Sequence, residues 1–304
     1  MSSISLTSFS EQLAALTEQA AQFVVAVHAR PRFNSSGVHG SPGIIVTAEH
    51  TIRHDDEIVV TTATGARHAA ELIGRDPGTD LAVLRFKDLV APIVTRQADG
   101  ASHRPGSIVP AVGRNKDSAN AALGMISSVG GPSQTWRGGK LDQVVRLDVT
   151  LHPAAAGGAI IDVNGNLIGL ATDALSRMAV FAAPVATMER VVSSLVTHGK
   201  IRHGYLGAGL QPIVVPAHLK ANLGLSISRG LMAVSVDPDA PAGKAGMVIG
   251  DVLLELDGQA TEQPMRVRTI PGADSVGKTL TARILRGGQL ANLEIKITER
   301  PERN

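Results

Sequence analysis

The feature that most limits the fold is a rhythm of short β-rich runs. Phe23–Val27, Gly43–Thr47, Glu57–Thr62, Ala69–Arg75 and Leu81–Phe86 make one group. Ser107–Val112, Ala121–Val129, Gln143–Thr150, Ala159–Val163, Leu167–Thr172 and Met178–Ala183 make a second. Turn residues separate them at the spacing of antiparallel barrels, so the chain is expected to be mainly β. Before the first group, Phe9, Leu13, Leu16, Ala20 and Phe23 recur at helical spacing, and Ser8-Phe9-Ser10-Glu11 has the spacing of a capping box. This predicts an amphipathic helix over about 9–21. After the second group, Pro184 opens and Gly199 closes a helix over Val185–Thr197.

A chain of 304 residues suits two or three domains, and an apolar content of 43% supports real cores. Lys+Arg 29 against Asp+Glu 27 leaves +2 with no basic arm, so a nucleic-acid partner is not expected. The chain has no cysteine, which excludes disulfides, thiolate catalysis and Cys-ligated zinc. No apolar run reaches about 18 residues, so no membrane span is expected. The N-terminus lacks a basic region followed by an apolar stretch and is not expected to be a signal peptide. His50 and His54 lie four apart without a glutamate after the first. No metal and no cofactor are therefore expected.

Chemistry concentrates in three places. His50 follows the run Ile44–Ala48, and Asp80 directly precedes the apolar run Leu81–Leu84. The third place is Pro153-Ala154-Ala155-Ala156-Gly157-Gly158, entered from a strand-like run and followed by a hairpin with Asn164-Gly165 at its tip. Adjacent glycines permit close backbone approach. Nucleophilic hydrolysis needs a base, a carboxylate that orients it, and backbone N–H groups aimed at the oxyanion. The order histidine, aspartate, then a small residue flanked by glycine is one in which such sites occur.

These strings resemble the HtrA/Deg family of trypsin-like serine proteases. The family's V-T-x-x-H, G-R-D-x-x-T-D-L-A-V-L and G-N-L-I-G-L stand here almost unbroken. Ala111-Val112-Gly113, Gly124-Met125-Ile126-Ser127 and Phe181-Ala182-Ala183-Pro184 are similar to further family segments. The resemblance covers about residues 22–198 and implies a chymotrypsin/trypsin-like double β-barrel. It places His50 and Asp80 at two triad positions and Ala156 where the nucleophilic serine belongs. Ala154 stands at the oxyanion-hole glycine, so that Ala154 and Ala156 would supply the two N–H groups, and Ala159 replaces a proline. Ala156 carries no nucleophilic atom, and a Cβ at position 154 disfavours the geometry that turns its N–H toward an oxyanion. Thr150 and His152 are taken as ordinary strand-end residues. Because Ala154 and Ala159 also depart from the pattern, a natural loss of the nucleophile is preferred over a single deliberate exchange.

Arg202-His203-Gly204-Tyr205-Leu206-Gly207-Ala208 resembles the start of the PDZ domain that follows such proteases, and Asp239–Leu253 resembles the PDZ signature. The resemblance makes Tyr205, Leu206, Gly207 and Ala208 a loop that binds a peptide carboxylate, with Leu206 lining an apolar pocket. A short groove helix is expected at Glu262–Ile270, between Pro264 and Pro271. The expected order is an N-terminal helix (1–21), a double-barrel protease domain (22–198) and a PDZ domain of α+β type (200–300). The expected function is a catalytically inactive HtrA-like protein that binds polypeptides or protein C-termini. The alternatives are a serine endopeptidase of protein quality control seen as a Ser-to-Ala variant, and a structural or assembly subunit. The resemblance also implies a trimer built on N-terminal aromatics, for which Phe9, Phe23 and Phe33 could serve, and a family that is often periplasmic.

Overall fold

The computed structural model describes residues 5–86, 103–116, 118–176, 178–202, 204–261 and 275–299. The chain divides into two compact units, Met1–Ile201 and Arg202–Asn304. The first unit opens with helix α1 (Leu6–Ala21). Its N-cap is Ser5, without a side-chain cap bond, so the capping box expected at Ser8 does not form and Ser8 lies inside the helix. The helix buries only its end, Ala20 and Ala21, and packs on the second barrel described below as well as on the strand that follows it. Phe23 is 6% exposed in the core, so it is not free to serve an oligomer contact, whereas Phe33 is 65% exposed.

Strands β1 (Val24–His28), β2 (Ser35–Ser41), β3 (Ile44–Ala48), β4 (Ile58–Thr61), β5 (Arg67–Asp76) and β6 (Leu81–Arg85) close a barrel in the order β1-β2-β3-β6-β5-β4. Strand β2 was not expected, because Ser35-Ser36-Gly37-Val38-His39-Gly40-Ser41 has the composition of a turn. Nearly all of it is buried, and its Ser35 and Ser36 hydroxyls are paired inside the protein. The second barrel uses β7 (Ile108–Asn115), β8 (Ser118–Gly130), β11 (Val144–Asp148), β12 (Ala159–Ile161), β13 (Leu167–Thr172) and β14 (Val180–Pro184), in the order β11-β14-β13-β12-β7-β8. A small hairpin, β9 (Ser133–Gln134) with β10 (Lys140–Leu141), lies between β8 and β11. Helix α2 (Val185–His198) ends at Gly199, whose φ of 71° makes a left-handed cap.

Alternation along the strands explains three cores. Val25, Val27, Ile45, Val60 and Leu84 fill the first barrel, and Val109, Ile126, Val145, Ile160 and Ile168 fill the second. The opposite faces, with Val24, Val46, Leu81, Val83, Ile161 and Leu170, join α2 in a shared core. Strands buried on both faces read as continuous apolar runs, as Leu81-Ala82-Val83-Leu84 does.

In the second unit, β15 (Gly204–Tyr205) pairs with β22 (Thr298–Glu299). The main sheet runs β16 (Ala208–Val214), β17 (Arg229–Val236), β18 (Val252–Leu256), β20 (Thr279–Arg286) and β21 (Gln289–Lys296), with β19 (Gln259–Ala260) beside β18. Helices α3 (Ala217–Asn222) and α4 (Pro241–Lys244) complete the described elements. By composition Tyr205–Leu210 is strand-like, but the strand breaks at Leu206-Gly207, and α3 was not anticipated. The expected groove helix, Glu262–Ile270, lies outside the described residues.

Asp251 ties this sheet together. Its buried carboxylate accepts two bonds from Arg286, each 2.7 Å, and one from the Val248 N–H at 2.8 Å. Burial works to raise its pKa, but the hydrogen bonds and charge of Arg286, with the Val248 N–H, hold it below the ordinary 3.8. A depressed carboxyl stabilises the fold above its unfolded pKa and loses that contribution as the pH falls through the folded value. Melting of the second unit is therefore expected to drop as the pH falls below 3.8. Arg286→Met should remove most of that acid dependence, and an unchanged profile would show that Asp251 is not responsible.

Candidate active site

The turn before Asp80 is built by Asp76. Its carboxylate accepts the Gly78 N–H at 3.0 Å and the Thr79 hydroxyl at 2.6 Å. The chain then enters β6 through Asp80, which is fully buried at a left-handed φ of 58°. Such a conformation is costly for a residue with a Cβ and persists where surrounding bonds enforce it. The Asp80 carboxylate accepts the His50 backbone N–H at 2.9 Å and the Thr172 hydroxyl. From the second barrel, the β9–β10 hairpin grips the same turn, with the Thr135 hydroxyl donating to Gly78 O at 2.6 Å.

His50 sits on a single 3-10 turn after β3. Its Nδ1 lies 3.0 and 2.9 Å from the two carboxylate oxygens of Asp80. Its Nε2 lies 3.4 Å from Oδ1 of Asp173, an exposed residue just after β13. Burial alone pushes the imidazole pKa down. The hydrogen bond and charge of Asp80, with the charge of Asp173, more than reverse this against an opposing Arg30, so the pKa stands above the ordinary 6.5.

The segment carrying Ala156 is fixed to the first barrel. The Ser36 N–H donates to Ala156 O at 2.9 Å, and the Ser36 hydroxyl donates to Ala154 O at 2.6 Å. Arg30 donates to Pro153 O at 3.1 Å. Gly157 has a φ of 81°, and a Cβ there would lie 2.3 Å from Ser36 O. Pro153–Ala155 form a 3-10 turn capped by His152, whose Nδ1 accepts the Ala154 N–H at 3.1 Å. That N–H, which the resemblance makes an expected oxyanion donor, is thus bonded within its own turn. Ala156 itself is 5% exposed and offers only a methyl group.

Thr172, His152, Ser36 and Asp173 were not singled out as site residues from the sequence. Thr172 follows the G-N-L-I-G-L string, which was a usable signal. No spacing marks the other three. A cleft of about 690 Å³ opens beside this group, lined by Ser127, Arg146, Asp148, Val149, Asp173 and Met178 among others. Among the described residues, no three metal-ligating side chains cluster, and no helix is long and apolar enough to cross a membrane.

In the second unit, the loop at Leu206-Gly207 is pinned by backbone bonds. Ala242 N–H donates to Leu206 O at 2.8 Å, and Asp237 N–H donates to Gly207 O at 2.9 Å. Gly207 has a φ of 77°, and a Cβ would lie 2.0 Å from Ala240 Cβ, so only glycine fits. Leu206 is buried in the core of this unit rather than lining an open pocket. Ala208 begins β16, which pairs with β17 on one side and is the sheet's edge among the described residues.

The trypsin-like peptidase domain family matches residues 35–170, and the PDZ domain family matches residues 204–297. A probable periplasmic serine endoprotease DegP-like of Bartonella henselae is 30% identical over 277 residues, covering 89% of this chain and 54% of that protein. The protein of the same description from Halomonas elongata is 28% identical, covering 90% of this chain and 58% of its own length. The chain thus spans little more than half the length of these relatives. Among solved structures, the HtrA-type protease AlgW with decapeptide is 26% identical with a TM-score of 0.76, covering 95% of this chain and 99% of that one. The serine endoprotease from Yersinia pestis has the same identity and TM-score and covers 99% and 100%.

Proposed function

From the premise that this chain is an HtrA-type protease homologue, a trypsin-like peptidase domain followed by a PDZ domain, we propose that it is a non-catalytic polypeptide-binding protein. The observation that carries this reading is Ala156. The turn is tied to the first barrel through Ser36 and stands in family register with His50 and Asp80, yet it presents a methyl group. Acyl transfer begins when a hydroxyl gives its proton to the imidazole and its oxygen attacks the carbonyl. With no oxygen at 156 neither half of that step occurs. The Ala154 N–H, bonded to His152, would also have to leave its turn before it could meet an oxyanion.

Binding does not need the nucleophile. The edge of β16 can take an extended peptide as an added strand, with the peptide's terminal carboxylate at the Leu206-Gly207 loop. Support also comes from the HtrA-type protease AlgW with decapeptide, whose chain is similar over nearly its whole length. Affinity is expected to be roughly micromolar, because ordering a flexible peptide costs free energy.

The test has two arms. The unmodified chain should neither cleave casein nor react with a serine-directed fluorophosphonate. Stoichiometric labelling that disappears in His50→Ala would overturn the non-catalytic reading. Peptides with free C-termini and apolar last residues should bind and lose binding on amidation. Equal binding of the amidated form would move polypeptide binding from the carboxylate loop to the cleft.

A further inference from the structure

We propose that Asp173 is a positioning residue that keeps the outer nitrogen of His50 engaged, so that less of the ring is free to act as a base toward a hydroxyl at position 156. The inference rests on the non-catalytic reading and extends it: inactivity is built into the base as well as into the nucleophile position.

The argument is geometric. A neutral imidazole has one N–H donor and one bare lone pair. When Nδ1–H points at Asp80, the lone pair on Nε2 faces outward, and that lone pair is what accepts a hydroxyl proton. Here carboxylate oxygens face both nitrogens, Asp80 at 2.9 Å and Asp173 at 3.4 Å. A bare lone pair against a carboxylate is repulsive, whereas a second N–H is attractive. The arrangement therefore favours the doubly protonated ring, which has no lone pair with which to take a proton. The charged groups bearing on the ring are Asp80 from the start of β6, Asp173 from the end of β13, and Arg30 from the β1–β2 loop. Arg30 opposes protonation, but it is itself faced by Arg53 and Asp173 and donates to Pro153 O. The direction of the His50 pKa agrees with this balance of two carboxylates against one guanidinium.

Asp173 is exposed, with its side chain 59% accessible, so replacing it should leave the fold intact. The first measurement follows the His50 ring by NMR against pH in the full chain and in Asp173→Asn, which keeps the shape and removes the charge. The pKa is expected to fall by roughly half to one pH unit in the variant, since an opposite charge at this range favours the ionised ring. An unchanged pKa would overturn the proposal, while leaving the fluorophosphonate test of inactivity untouched. The second measurement compares fluorophosphonate labelling rates of Ala154→Gly/Ala156→Ser with and without Asp173→Asn near neutral pH. Labelling roughly threefold to tenfold faster is expected once Asp173 is neutral, the most that a pKa fall of half to one unit can add to the neutral, base-competent fraction of the ring. Equal, measurable rates would also overturn the proposal. If neither variant labels, the NMR titration decides. Labelling of the unmodified chain would sink the non-catalytic reading instead, so the two failures are separable.

Discussion

Arg114→Met is expected to lower the stability of the first unit by about 3 kcal/mol. Arg114 lies on β7 and is 4% exposed. Its Nε donates to Val24 O and its Nη2 to Ala21 O, both at 2.7 Å. Burial pulls its pKa down, and its charge is met by carbonyl dipoles, one of them at the C-terminal end of α1, where a cation is favoured. Methionine fills similar space but donates nothing, leaving two buried carbonyls unpaired at about 1–3 kcal/mol each. For a domain of this size about 3 kcal/mol corresponds to a fall of roughly 6–12 °C in the melting midpoint. Lysine keeps the charge but not the forked donors and should fall between. Calorimetry checks this directly, and a shift under about 2 °C would mean that water replaces the guanidinium.

The second large effect is expected at Gly157. Gly157→Ala should cost about 2–5 kcal/mol, from the left-handed backbone and from overpacking together. The new methyl would lie 2.3 Å from Ser36 O and 2.8 Å from both Ala48 N and Thr47 Oγ1, groups of β2 and β3 that cannot move without opening the first barrel. Gly165→Ala is the control. It has a similar φ of 82°, but its nearest neighbours are side-chain atoms at 3.5 Å, so only the backbone strain of about 1 kcal/mol remains. Equal losses in the two variants would show that the turn carrying Ala156 yields freely. A much larger loss at Gly157 would show that it is held by the first barrel.

The double-barrel architecture was legible because its strands are punctuated by turns and their apolar runs are long enough to be buried on both faces. The pairing of His50 with Asp80 was legible in the G-R-D-x-x-T-D string, since Asp76 and Thr79, which shape the turn, are residues the string preserves. Strand β2 was not legible. Ser36 is buried because its hydroxyl links Ala154 O to the Arg114 N–H, and such partners lie 118 and 78 residues away. The roles of His152 and Asp173 were equally hidden. Each depends on where a loop places one side chain, with no periodicity to announce it. The break at Leu206-Gly207 escaped because residues on both sides of it have strand composition.

The bonds from Arg114 to Ala21 and Val24 span 93 and 90 residues of chain. They tie α1 and β1 to a strand that lies much later in the chain. As the polypeptide emerges from the ribosome, α1 and β1 precede β7, and the strand that anchors them comes only after the other five strands of the first barrel. Until β7 arrives, the first barrel can assemble around β1 but lacks the Arg114 bonds to α1 and β1, and α1 lacks the second-barrel part of its packing surface. Closure of the first unit is therefore a late step in its folding. An interruption of synthesis before β7 would leave a chain whose most amphipathic segment is still unclaimed, a natural target for chaperones or for proteolysis.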